Sequence, residues 1–145
     1  MSPARLSSEM IHASTVALHG RAVLISGPSG SGKSDLALRL LDRGFTLVSD
    51  DQTIVRRDGE RLIASAPPNI AGKLEIRGIG IVDVAHAADA PIALLVELTS
   101  EIERLPDDSP KRLILGLAVP LVGIDAMAAS AASKVALALD RIGLK

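Results

Sequence analysis

Gly27-Pro-Ser-Gly-Ser-Gly-Lys-Ser34 is the stretch on which the reading of this chain turns. It follows a short apolar run, Arg21-Ala-Val-Leu-Ile-Ser26. It opens into Lys33–Arg43, where Leu36, Ala37, Leu40 and Leu41 share one helical face. Gly44 stands where a helix C-cap belongs. In a strand–loop–helix arrangement of this kind, glycines let backbone N–H groups turn inward around phosphate oxygens, and the helix N-terminus adds positive potential. Gly27, Pro28, Ser29, Gly30, Ser31 and Gly32 form the loop. Lys33 reaches the β- and γ-phosphates, and Ser34 offers a hydroxyl to Mg²⁺. The complete G-x-x-x-x-G-K-[ST] pattern, in this context, predicts binding of ATP or GTP.

Outward from the loop, Thr46–Ser49 reads as a second strand that ends in Asp50-Asp51. Phosphoryl transfer needs an acid to help hold the metal and a group to handle the nucleophile's proton. An arbitrary Asp-Asp pair caps a turn. This one lies one helix and one strand beyond Lys33, at the return point of the β-loop-α-β unit, and is therefore read as functional. Met10–Leu18 is expected to be a strand, with a turn at His19-Gly20. Thr53–Arg57 and Glu60–Ala64, joined by Asp58-Gly59, predict a hairpin. Pro67-Pro68-Asn69 breaks the pattern, and Leu74–Val84 is irregular but strongly apolar. Pro91–Leu98 is a buried strand, residues 99–112 a surface loop, and Leu113–Val122 a further strand bent at Pro120. The alanine-rich stretch Asp125–Ile142, with Asp125 as N-cap, is a helix closed by Gly143. The whole of 1–145 is one α/β domain with more strand than a simple doubly wound sheet.

Composition narrows the function classes. The 145 residues are 48% hydrophobic and 23% charged, the balance of a folded globular domain. Sixteen Lys+Arg against seventeen Asp+Glu leave a formal charge of -1, which argues against a nucleic-acid arm or a polybasic membrane anchor. Without cysteine there are no disulfides, thiolate chemistry or Cys-ligated metals. One Phe and no Trp or Tyr disfavour base-stacking platforms and aromatic carbohydrate clefts. Met1–Gly20 contains no continuous apolar export segment, and the longest uncharged stretch, Leu113–Ile124, falls short of the roughly 20 residues that span a bilayer. A cytoplasmic protein with neither nucleic-acid nor membrane partners is the expectation. Two further residues are undecided on pattern alone. Glu75 fits a solvated strand face with Arg77 as well as it fits a site, and His12 stands alone.

Four blocks resemble the HPr serine kinase/phosphorylase family, in particular its C-terminal catalytic domain. They are Ile11-His12, the phosphate loop with its helix, Arg43-Gly-Phe-Thr-Leu-Val-Ser-Asp-Asp51, and Leu74-Glu-Ile-Arg-Gly-Ile-Gly-Ile-Val-Asp-Val84. The last is specific to the family. The resemblance implies a P-loop kinase domain of the phosphoenolpyruvate-carboxykinase-like type, with a mixed sheet and flanking helices. It implies ATP- and Mg²⁺-dependent phosphorylation of a serine on the phosphocarrier HPr or a paralogue. By position, Lys33 is the phosphate-binding lysine, Ser34, Asp50 and Glu75 the metal ligands, and Asp51 the base that takes the serine proton. His12 orients Asp51, and Arg104 falls near a catalytic arginine. The family assembles as hexamers. Its second activity, phosphorolysis of seryl-phosphate, is linked to a basic, glycine-containing loop. The corresponding region here reads Val119-Pro-Leu-Val-Gly-Ile-Asp125, without the arginines, so kinase activity without phosphorolysis is the expectation, from a minimal catalytic unit lacking the family's usual N-terminal domain.

Two other readings use the same loop. A small-molecule kinase would need a lid and a basic substrate pocket, for which little chain is left. An ATP-sensing module would bind nucleotide without transferring phosphate, and the block around Glu75 has no purpose in it.

Overall fold

The computed structural model describes residues 7–102 and 109–145 of the chain. Eleven strands and two α-helices follow in chain order: β1 Ser8–Ile11, β2 Ala13–Leu18, β3 Arg21–Ser26, α1 Lys33–Leu41, β4 Thr46–Ser49, β5 Thr53–Asp58, β6 Arg61–Ser65, β7 Lys73–Ile76, β8 Gly80–Asp83, β9 Asp89–Leu98, β10 Lys111–Ile114, β11 Leu117–Ile124 and α2 Ala131–Ile142. A 3₁₀ turn, Pro68–Ile70, sits at the proline break. Nine strands form one mixed sheet in the order β1-β5-β6-β9-β3-β2-β4, with the β10–β11 hairpin joined to it through β11. Strands β3, β9 and β11 run parallel to one another, whereas β2 is antiparallel to both β3 and β4. The mixed α/β architecture with flanking helices is the one expected.

The central strands are apolar in both directions because both faces are covered. On one side Val23, Ile25, Leu94 and Val96 pack with Leu36 and Leu40 of α1 and Val135 and Leu139 of α2. On the other, Leu24 and Leu95 pack with Val55, Leu62, Ala64, Ile114 and Val119, so the sheet curls until its own outer strands cover that face. Between β3 and β9 the register passes from Ala22↔Ile92 to Val23↔Leu94, and the extra residue, Ala93, lends its carbonyl to the N–H of Leu144.

Four expectations are corrected. Met10–Leu18 is two strands, since the chain leaves β5 and joins β3 and β4 at His12. Lys111 and Arg112 belong to β10 rather than to a surface loop, and Leu113–Val122 is not one strand. It is a hairpin that turns at Leu115 (φ 49) and Gly116 (φ 83), with the Leu115 carbonyl held by Arg57 Nη1 at 3.0 Å. Pro120 marks a change of partner instead of a bend: Leu117–Pro120 pairs with β10 and Leu121–Ile124 with β9. Helix α2 begins at Ala131, not Asp125. Asp125 Oδ1 accepts the N–H of Met127 at 2.9 Å, and the Arg39 guanidinium holds the carbonyls of Ala126 (2.6 Å) and Ala128 (3.4 Å), two acceptors that a helix starting at Asp125 would use itself. Helix α1 does end as expected. Phe45 N–H bonds to Leu40 O and Gly44 N–H to Leu41 O, with Gly44 at φ 91, a Schellman closure. Leu74–Val84 resolves into β7 and β8, a separate two-stranded unit turning through Gly78.

Candidate active site

The phosphate loop leaves β3 at Ser26 and enters α1 at Lys33. Gly30 (φ 80) and Gly32 (φ 100) lie in the left-handed region, which costs a side-chain-bearing residue energy and costs glycine little. The loop is also too tight for substitution at its start: a Cβ on Gly27 would stand 2.6 Å from Ser31 Oγ. That Ser31 hydroxyl is buried and has no hydrogen-bond partner, a costly condition unless an acceptor or donor arrives in the loop. Lys33 is 5% exposed, and its ammonium turns back onto the loop, donating to Gly27 O (3.0 Å) and Pro28 O (3.2 Å). A loop lined by an orphaned hydroxyl and a buried ammonium on its own carbonyls fits an anion of phosphate character.

The acids arrive from β4. Asp50 is buried and accepts three hydrogen bonds: from Ser34 Oγ (2.6 Å) and Ser14 Oγ (2.8 Å) at Oδ1, and from the N–H of Glu75 (3.0 Å) at Oδ2. Since the Ser34 hydrogen goes to Asp50, both its lone pairs stay available to a cation. Asp51 behaves differently. Its side chain is 59% exposed, its Oδ1 lies 2.6 Å from His12 Nε2 and 3.8 Å from Lys33 Nζ, and its backbone takes φ 66. A carboxylate only accepts, so His12 donates through Nε2. The break between β1 and β2 is what brings that imidazole over the acid.

Glu75 is exposed on β7 and opens onto the same space, a cleft of about 490 Å³ that also holds Ser29–Asp35, Asp50, Asp51, Arg77 and Met127. The predicted residues among those described come together: Ser29–Ser34, Asp50, Asp51 and Glu75 line one cleft, Gly27 and Pro28 hold the Lys33 ammonium behind it, and His12 lies on Asp51. Arg104 lies outside the described residues. Among the described residues no three His, Asp or Glu side chains converge into a ready-made metal cage. Mg²⁺ does not need one, being commonly held by one or two carboxylates together with substrate phosphates. A hydroxyl, a buried acid and an exposed acid beside a phosphate loop fit that donor set. Pattern reading missed Ser14 and gave Arg77 no part in the site. A lone serine in a strand carries no signal, while Arg77 was visible as part of the block around Glu75. A second crevice, about 400 Å³ among Arg21, Arg61, Leu117 and Leu144, lies at the opposite ends of β3 and β9 and shares no motif residue. No helix among the described residues is long and apolar enough to cross a membrane.

Residues 4–139 match the family model described as the HPr serine kinase C-terminal domain. An HPr kinase/phosphorylase of Chlorobium phaeobacteroides is 41% identical over 128 residues, covering 79% of this chain and 40% of that protein. One from Latilactobacillus sakei is 38% identical over 127 residues, covering 79% and 41%. The chain thus spans about two fifths of the length of these curated relatives. The solved HPr(Ser) kinase/phosphatase of Coxiella burnetii superposes with a TM-score of 0.78 at 29% identity, covering 91% of this chain and 94% of that one. With nearly its whole length matched by the family model and its fold shared with a solved member, this chain belongs to the HPr serine kinase C-terminal domain family.

Proposed function

We propose that this domain transfers the γ-phosphoryl group of ATP, with Mg²⁺, to a serine hydroxyl of an HPr-like phosphocarrier protein. The observation that carries the reading is the state of Asp51: exposed to an incoming protein, fixed by His12 and 3.8 Å from the phosphate-loop lysine. A sensor has no use for an acid so placed. The reading takes 1–145 as one catalytic unit. The antiparallel β2 between β3 and β4 supports kinship with phosphoenolpyruvate-carboxykinase-like kinases, since Ras-like P-loop sheets run parallel there.

In the proposed reaction the serine oxygen forms a bond to the γ-phosphorus, the bond from that phosphorus to the β,γ-bridging oxygen breaks, and ADP leaves. The serine proton passes to an Asp51 carboxylate oxygen, at the stage when the O–P bond makes the hydroxyl acidic enough to release it. His12 keeps the Asp51 carboxylate aimed. Lys33, drawn off its two loop carbonyls, balances charge on the β- and γ-oxygens. Ser34, Asp50 and Glu75 would hold the metal, with Asp50 also fixing the Ser34 hydroxyl. Mg²⁺ held there would act as a Lewis acid that offsets the negative charge of the phosphates.

The test is intact mass spectrometry of an HPr-like protein incubated with the domain, Mg²⁺ and ATP. One added phosphoryl group, acid-stable and mapped to a serine, is the expected result. ATP binding with no mass added to any such carrier overturns the reading in favour of a sensor. Adding inorganic phosphate to the phosphorylated carrier then asks whether the reverse reaction survives without the missing arginines. Cross-linking under the same conditions asks whether the domain forms the hexamer of the family.

A further inference from the structure

Ser14 is fully buried in β2, thirty-six residues before Asp50, yet its single hydroxyl touches both acids. It donates its hydrogen to Asp50 Oδ1 at 2.8 Å and accepts the backbone N–H of Asp51 at 3.0 Å. Only a group that is donor and acceptor at once can make this bridge. The turn it holds is strained. Gln52 N–H bonds to Asp50 O at 2.7 Å across Asp51, which closes a three-residue γ-turn with Asp51 at φ 66, a form that side-chain-bearing residues seldom adopt. Such a conformation persists only where surrounding contacts over-determine it. Ser49 Oγ donates to Gln52 O. Thr53 Oγ1 donates to Ala13 O at 2.9 Å, which leaves the Thr15 hydroxyl as donor in the 2.7 Å Thr15–Thr53 contact. Among these, only Ser14 reaches Asp50 and Asp51 themselves.

We propose that Ser14 is a positioning residue that locks the two acids into one geometry, holding Asp51 in its strained turn while it orients the Asp50 carboxylate on Ser34. The inference deepens the kinase reading and rests on it for its kinetic consequence. Its structural consequence stands apart.

Two variants test it. Ser14→Ala removes the bridge, and Ser14→Cys removes most of it while keeping the volume, so a folding failure of one leaves the other. With the wild-type domain first shown to phosphorylate an HPr-like carrier, both variants are expected to lose kcat roughly 10- to 100-fold, the scale set by small misplacements of reacting groups. KM for ATP should stay within about threefold, since Lys33 and the loop backbone make no hydrogen bond with Ser14. In a double-mutant cycle, Ser14→Ala and Asp51→Asn should give clearly less than additive losses, because part of the Ser14 effect runs through that acid. Amide hydrogen exchange at Asp51, followed by NMR in the free protein, should accelerate in both variants. Wild-type kcat in the folded variants, or additive losses in the cycle, or unchanged Asp51 exchange would each overturn the proposal. A wild-type domain without transfer activity overturns the kinase reading instead, and the exchange measurement then decides the Ser14 bridge alone.

Discussion

His12 Nε2 lies 2.6 Å from Asp51 Oδ1, although thirty-nine residues separate the two in the chain. The contact exists because the first strand stops at His12 and the backbone changes sheet partner there. It joins the proposed base to the bend between β1 and β2. The base therefore depends on the register of three strands, not on the local Asp-Asp turn alone.

Asp51→Asn is expected to abolish carrier phosphorylation, a loss of roughly 10²- to 10⁴-fold in kcat, the usual contribution of a positioned base. Nucleotide binding should be retained. His12→Ala should lose less, about tenfold, because it orients the base without accepting the proton. Steady-state kinetics together with calorimetric ATP titrations check both. An unchanged kcat in Asp51→Asn would remove that residue from the chemistry.

Lys33→Met keeps the length and apolar stem of the buried side chain but deletes the ammonium. ATP affinity is expected to fall about tenfold or more if, as proposed, that cation balances charge on the β- and γ-phosphates. In the wild type, ATP at 100 times its Kd should raise stability by about 2.7 kcal/mol through mass action. Thermal melts with and without nucleotide should show this gain in the wild type and most of it missing from the variant.

Glu75→Gln tests the metal set. The Mg²⁺ concentration giving half-maximal transfer should rise about tenfold. The backbone bond from Glu75 N–H to Asp50 Oδ2 survives the change, and metal-free ATP binding should therefore be unaltered. Magnesium titrations at fixed ATP separate the two effects.

Leu94→Ala removes a fully buried side chain from the layer between the sheet and the two helices. A loss of about 2–5 kcal/mol is expected, the sum of lost transfer energy and an unfilled cavity. Urea unfolding measures it, and a loss below about 1 kcal/mol would show that the layer collapses around the gap.

The parts of the site that chemistry confines to one short stretch were legible in the sequence. The phosphate loop has a fixed spacing because the backbone must curl around an anion, and Asp50-Asp51 follows at the next strand end. His12 and Glu75 were legible only through resemblance, since each meets its acid from a distant segment and neither carries a local pattern. Ser14 had no signal at all. Helix α2 was misplaced at its start because Asp125 has cap chemistry, and nothing local announces that Arg39 takes the carbonyls of Ala126 and Ala128. The β10–β11 turn was invisible for a similar reason: Leu115 is not a turn residue, and Arg57, fifty-eight positions away, secures it.

The Arg39 tie also makes the cleft asymmetric. Helix α1 begins with the phosphate grip and, through that guanidinium, grasps the segment carrying Ala126 and Met127, so this jaw is a fixed anvil built on the main sheet. The opposite jaw is the β7–β8 hairpin, which lies outside the nine-stranded sheet and presents Ile79 and Ile81 to solvent. Local opening should begin in such a unit, whose strands have fewer partners to lose. Amide exchange should therefore be faster across 73–83 than in β3 or β9. Glu75 belongs to the hairpin and Ser34 and Asp50 to the anvil, with the Glu75 N–H on Asp50 Oδ2 joining the two sides. A cation held by Glu75 together with Ser34, as proposed, would tie the hairpin to the main body, so its exchange should slow when Mg²⁺ and ATP are added.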